Sequence, residues 1–114
     1  MPAWQDVVEI ARRFEGVEEG QSYGTPSLKV RGKFMCRLRT NPDALVVRVL
    51  DLADAEALLK GQPGVFFITP HYTGYPAVLV RLEAVELEQL AELVEDAWRI
   101  QAPKRMIAAH DARD

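Results

Sequence analysis

The chain has 114 residues, of which 48% are hydrophobic and 27% charged, and it carries a net charge of −3. That length and mixture read as one ordinary globular domain spanning 1–114, and exclude a disordered or fibrous chain. The single cysteine excludes an internal disulfide framework and fits a reducing cytoplasm; no apolar run reaches membrane length, and the opening MPAWQDVVEI lacks the basic and apolar stretches of an export signal.

Residues 3–14 place Trp4, Val7, Val8, Ala11 and Phe14 on one stripe at helical spacing, with Gly16 to end the helix. The next stretch, VEEGQSYGTP, is rich in turn formers and reads as a connection. Three strand-like runs follow at about 27–31, 33–39 and 44–50. Alternation sets their register: Leu28 opposite Cys36 and Val30 opposite Phe34 keep the apolar residues on one face, which requires a three-residue connection, Arg31-Gly32-Lys33. The four-residue connection Thr40-Asn41-Pro42-Asp43 then pairs Leu38 with Leu45 and Cys36 with Val47. The result is a three-stranded antiparallel meander with one apolar face and one basic face.

Asp51 is a fitting N-cap for a helix carrying Asp54 in its first turn, backed by Leu52, Ala55, Leu58 and Leu59 and stopped at Gly61. GVFFIT and AVLVRLEAV read as two further strands separated by PHYTGYP. Leu87, Leu90, Leu93, Val94, Ala97 and Trp98 mark a long amphipathic helix that Pro103 breaks, and KRMIAAH adds a short helical turn. The predicted fold is α+β: a two-layer sandwich of an antiparallel sheet of about five strands with helices packed on one face.

The basic face is the first candidate site. Residues 27–50 hold six cations, Lys29, Arg31, Lys33, Arg37, Arg39 and Arg48, against one acid, Asp43, while the rest of the chain holds eight cations against sixteen acids. Same-face residues on a strand lie about 7 Å apart, comparable to the phosphate spacing along a nucleic-acid strand. The same pattern also suits a solvated sheet face, or one that meets an acidic protein. Met35 and Val46 are the only apolar residues expected between the cations, so this face offers few anchors for a protein partner. In PHYTGYP, His71, Tyr72 and Tyr75 have the chemistry to stack on bases and contact phosphate; alternatively, the prolines and tyrosines simply connect two buried strands. Tyr23 in YGTP carries the same two readings. Lys104 and Arg105, after Pro103, are either further phosphate contacts or cations favoured near a helix end.

Alternation turns Cys36 inward, as an inert packing group and not a nucleophile. Two histidines far apart in sequence, with no thiolate cluster, make no metal-ligand pattern, and no phosphate loop, paired-carboxylate site or catalytic triad is visible. The reading is a non-enzymatic binding module without metal or cofactor, a monomer or weak homodimer. Its candidate partners are a DNA or RNA backbone or an acidic protein, and not a membrane. A small-molecule pocket near PHYTGYP is a third reading.

YGTPSLKVRGKF, FFITPHYTGYPAVLVRL and DAWRIQAPKR, in this order and spacing, resemble the MmcQ/YjbR family of small bacterial proteins over nearly the whole chain. That family is similar in fold to the bacterial frataxin CyaY and to type III secretion chaperones. The resemblance implies an antiparallel sheet with helices on one side. The family is commonly called DNA-binding, so the resemblance also implies a nucleic-acid partner; it assigns no catalytic residue. The carboxylates that frataxins carry on their first helix correspond in kind to Asp6, Glu9 and Glu15, but Arg12 and Arg13 interrupt them and argue against an iron-binding ridge.

Overall fold

A computed structural model describes residues 2–40 and 43–113. The elements run α1 (Trp4–Ala11), β1 (Val17–Ser22), β2 (Thr25–Val30), β3 (Lys33–Arg39), β4 (Ala44–Arg48), α2 (Leu52–Gly61), β5 (Phe66–Phe67), a 3-10 helix (Pro70–Tyr72), β6 (Ala77–Arg81), α3 (Leu87–Gln101) and α4 (Lys104–Asp111). The six strands form one antiparallel sheet in the order β1-β2-β3-β4-β6-β5. The helices pack on one side of it, in the α+β arrangement expected.

Their contact is an apolar layer in which Leu28, Val30, Leu45, Val47, Val78 and Val80 from the strands meet Val7, Leu90, Val94, Ala97 and Trp98 from α1 and α3. Burying each such side chain contributes about 1.5–3 kcal/mol. Trp98 is fully buried, and its indole N–H donates to the Glu15 carbonyl at 2.9 Å. This is the partner a buried indole needs, and it ties α3 to the exit of α1. Asp51 caps α2 as expected, its side chain accepting from the Asp54 backbone N–H at 2.8 Å.

Four expectations are corrected. VEEGQS is not a connection but an edge strand, β1, so the sheet has six strands and not about five. Its polar residues lie largely exposed, and its pairing with β2 rests on backbone hydrogen bonds, not on alternation. The hairpins on either side of β2 turn on two residues each, Tyr23-Gly24 and Arg31-Gly32. All four have positive φ (54°, 77°, 52° and 78°), the conformation that matches the twist of a two-residue hairpin and is strain-free only for glycine. The connection after β2 is therefore not the expected three residues. Finally, GVFFIT contributes only the two-residue β5, while KRMIAAH and its neighbours form a full eight-residue helix.

The shorter turn changes the register. Val30 lies opposite Lys33, and Lys29 opposite Phe34. The expected Leu28–Cys36 pair is nonetheless present, because β3 carries one extra residue, Met35, in a β-bulge. Met35 and Cys36 both enter the core and are fully buried, whereas Phe34 turns to the opposite face of the sheet. Both assignments reverse the alternating pattern, which put Phe34 in the core and Met35 among the cations. Beyond the bulge the expected pairs return, Cys36 with Val47 and Leu38 with Leu45. Asn41 and Pro42, which the expected turn after β3 includes, lie outside the described residues.

Two measurements test this arrangement. Met35→Ala is expected to cost about 2–5 kcal/mol, in the range of buried large-to-small changes, and Phe34→Ala less. Chemical denaturation of the two variants ranks them, and the opposite order contradicts the bulge. Burial pushes the Cys36 thiol from 9.0 up to about 12, so native protein is expected to alkylate slowly and unfolded protein quickly. Because the folded-state value is the higher one, the associated stability is present below pH 9 and is lost as pH rises from 9 towards 12. Cys36→Ala is expected to lose about 1–2 kcal/mol at neutral pH and to show a weaker decline with alkali.

Candidate nucleic-acid interface

The face of the sheet turned away from the helices is only partly open. Across its middle, Val46 and Leu79 are fully buried, and Ala77 nearly so, with Phe34, Phe67 and Tyr72 packed around them. The cover is the PHYTGYP connector. A 3-10 turn, held by Tyr72 N–H donating to the Thr69 carbonyl at 2.9 Å, folds it back; Tyr75 N–H then donates to the Tyr72 carbonyl at 3.0 Å. Val46, expected among solvated cations, is instead floor under this cover.

Arg37 fastens the cover to the sheet. Its Nε and Nη2 donate to the Tyr72 hydroxyl at 3.0 and 2.6 Å, and its Nη1 to Thr25 Oγ1 at 3.3 Å. The guanidinium carbon also lies 5.1 Å from the centre of the Tyr23 ring and 5.8 Å from that of Tyr72, within cation–π range. Every one of these partners is neutral. Among the described residues, no carboxylate lies within ion-pair distance of Arg37 or of Lys29, although Glu18 is the cross-strand neighbour of Lys29. Neither positive charge is in an ion pair among the described residues.

Around them lies a cavity of about 420 Å³. Its aromatic walls are Tyr23, Phe34, His71, Tyr72 and Tyr75; Lys29 and Arg37 supply its charge, and Ser22 and Gly32 complete it. Tyr23 and Tyr75 are 82% and 61% exposed, so ring surface is open to a ligand. His71 stands edge-on to both Tyr23 and Tyr72, with centroids 6.2 and 4.8 Å apart. The Tyr23-Gly24 turn presents Tyr23 at a hairpin tip, and the bulge at Met35 presents Phe34.

The sequence-derived candidates divide as follows. Lys29, Arg37, His71 and Tyr72 come together in the cavity. Arg31 and Lys33 are exposed at the adjoining hairpin; Lys33, opposite the core residue Val30 and next to the outward Phe34, leaves the strand on the helix side and not on the expected basic face, whereas Arg39 follows Arg37 two residues along the same strand face. Arg48 is elsewhere: its Nε donates to the Val49 carbonyl at 2.8 Å, and it lines a separate cleft with Asp54, Glu92 and Asp96. There, burial first and then the nearby charges of Glu95, Asp54 and Glu92 raise the Asp96 carboxyl above its ordinary value. Lys104 and Arg105 are exposed in the first turn of α4, in the helical layer, and do not line the cavity. Phe34 was missed as a site residue because strict alternation sent it inward; the signal that moves it is the positive-φ Arg31-Gly32 turn. Cys36 and His71 lie on opposite faces of the sheet and do not form a thiol–imidazole pair.

The sheet order and the single helical layer define an α+β protein with a ligand-sized cavity on its helix-free face. The sequence profile of the YjbR family matches residues 12–100, and the chain belongs to that family. Uncharacterised proteins of Mycobacterium bovis and Mycobacterium tuberculosis are 51% identical over 67 residues, which cover 59% of this chain and 52% of theirs. The chain thus spans about half the length of the curated relatives it matches. Among the described residues no helix is long and apolar enough to cross a membrane.

Tyr72→Phe removes the oxygen that accepts two of the Arg37 hydrogen bonds. It is expected to lower stability by about 1 kcal/mol while leaving the backbone fold intact, measured by thermal unfolding and circular dichroism. A loss near zero would mean that Arg37 does not fasten the connector.

Proposed function

We propose that this protein binds nucleic acid through the phosphate backbone, on the helix-free face of its sheet, as a binding module and not as an enzyme. The observation that supports this reading is the pair Lys29 and Arg37 on one face, Arg37 held by neutral partners and neither in an ion pair with a carboxylate among the described residues. Charges that a protein keeps un-neutralised beside a cavity favour an anionic ligand. Arg31 and Arg39 extend the positive surface from that point along β3 and its hairpin. Among the described residues this face holds no α-helix to read base identity as a recognition helix does, so the contact is with backbone and carries little sequence preference.

The exposed rings of Tyr23 and Tyr75 favour a second reading, an adaptor for an acidic protein, because aromatic side chains are the usual anchors of protein interfaces. The sequence alone offered no such anchors on this face. Titration against salt separates the two. Each phosphate neutralised on duplex DNA contributes about 0.9 to the log–log salt slope, so engaging three or all of the four cations Lys29, Arg31, Arg37 and Arg39 gives a slope of about −3 to −4. Changing Arg31 and Arg39 together to Gln, both outside the cavity, is expected to reduce that slope by about two and to leave stability unchanged. Fluorescence anisotropy with a random duplex and a single strand is the measurement. If the wild type binds neither in low salt, the nucleic-acid reading fails and the acidic protein partner takes its place.

A further inference from the structure

We infer that the cavity beside Arg37 takes one unpaired nucleobase, so that the protein selects single-stranded over duplex nucleic acid; this rests on the backbone reading above and adds a base to it. The size fits: about 420 Å³ falls in the range of about 300–1,000 Å³ typical of small-molecule sites, well above what a bare phosphate needs. So does the lining. Flat rings line the cavity, Phe34 beside the apolar floor and Tyr23 and Tyr75 with much of their surface open. A base stacks on such rings whatever its identity, because every base has a π-face.

The charge decides between ligands that aromatic walls attract. A cage for a quaternary ammonium ion needs rings without cations; here Lys29 lines the cavity, and the Arg37 guanidinium already lies over the Tyr23 ring. A ligand that is flat and carries negative charge next to its ring satisfies both, and a nucleotide within a strand is such a ligand. Arg37 has five N–H donors. Two go to Tyr72, one to Thr25 and one, at 3.5 Å, to the Leu38 carbonyl, so one remains uncommitted among the described residues. That donor and the Lys29 ammonium are the groups that meet the adjoining phosphates. A duplex keeps its bases stacked and paired, so it reaches the cations but not the rings.

The test compares a short oligothymidylate with an abasic oligomer of equal length and charge, by anisotropy in low salt. The wild-type protein is expected to bind the abasic strand at least fivefold more weakly, since one stacked base contributes that much or more. Tyr23→Ala and Tyr75→Ala each change an exposed side chain, so both variants should fold, as circular dichroism would verify. Each is expected to bring the oligothymidylate down towards the affinity of the abasic strand. Equal binding of the two strands by the wild type overturns the base-binding cavity and leaves the backbone reading standing. A preference for oligothymidylate that survives both variants also overturns it, because the base is then held elsewhere. Failure of both strands to bind overturns the backbone reading as well.

Discussion

Adjacent residues of a regular strand point to opposite faces, yet Met35 and Cys36 both enter the same core. The β-bulge that permits this is the constraint on which the rest of the molecule depends. The Arg31-Gly32 turn brings β3 back against β2 in a register that sends Phe34 outward and would carry the following residues to the wrong faces. One extra residue resets the strand, so that Cys36, Leu38, Leu45 and Val47 face the helices. A bulge leaves backbone groups outside the regular ladder, and each buried one needs another partner. The Gln101 side-chain amide, from the last turn of α3, donates to the Phe34 carbonyl at 2.9 Å beside that point. The helix layer therefore supports the irregularity that shapes the opposite face.

On that opposite face a sheet with an apolar middle needs a cover, and the PHYTGYP connector supplies it. The contact is small, so its position depends on few interactions. Arg37 carries most of them, binding the Tyr72 hydroxyl with two donors while lying against Tyr23 and Tyr72. A lysine in its place has neither the planar fork nor the ring-stacking surface. At the other end of the sheet Arg81 plays a related part, 4.4 Å from the centre of the Phe67 ring with Nη1 donating to the Pro63 carbonyl. Both arginines thus extend the apolar cover with their side chains while keeping their charge at the surface.

The distribution of charge gives the molecule two unlike sides. α3 carries Glu88, Glu92, Glu95 and Asp96 against Arg99, whose charge is taken up by Glu95 and Asp111 at 2.8 and 2.7 Å. Paired surface charges of this kind contribute little to stability. They place acidic side chains on the helical side, while Lys29 and Arg37, in no ion pair among the described residues, stand on the other face of the sheet.

The amino-acid sequence by itself determined the α+β class, the helical stripes of α1 and α3, the Asp51 cap and the pairing of β3 with β4, because each follows from local periodicity and turn chemistry. It also marked Lys29, Arg37, His71 and Tyr72. Their meeting in one cavity was legible only in three dimensions, since the connector is joined to β3 by hydrogen bonds spanning 35 residues of sequence. β1 escaped notice because an edge strand is held by its backbone, and VEEGQS shows no alternation to reveal it. Phe34 and Met35 were exchanged for a related reason. A bulge breaks the two-residue period on which the reading of a strand rests, and what selected it is the packing of Met35 into a core whose opposite wall lies on α3, far along the chain. Pattern along the chain determined which residues are apolar and which are charged; tertiary packing decided which face each of them occupies.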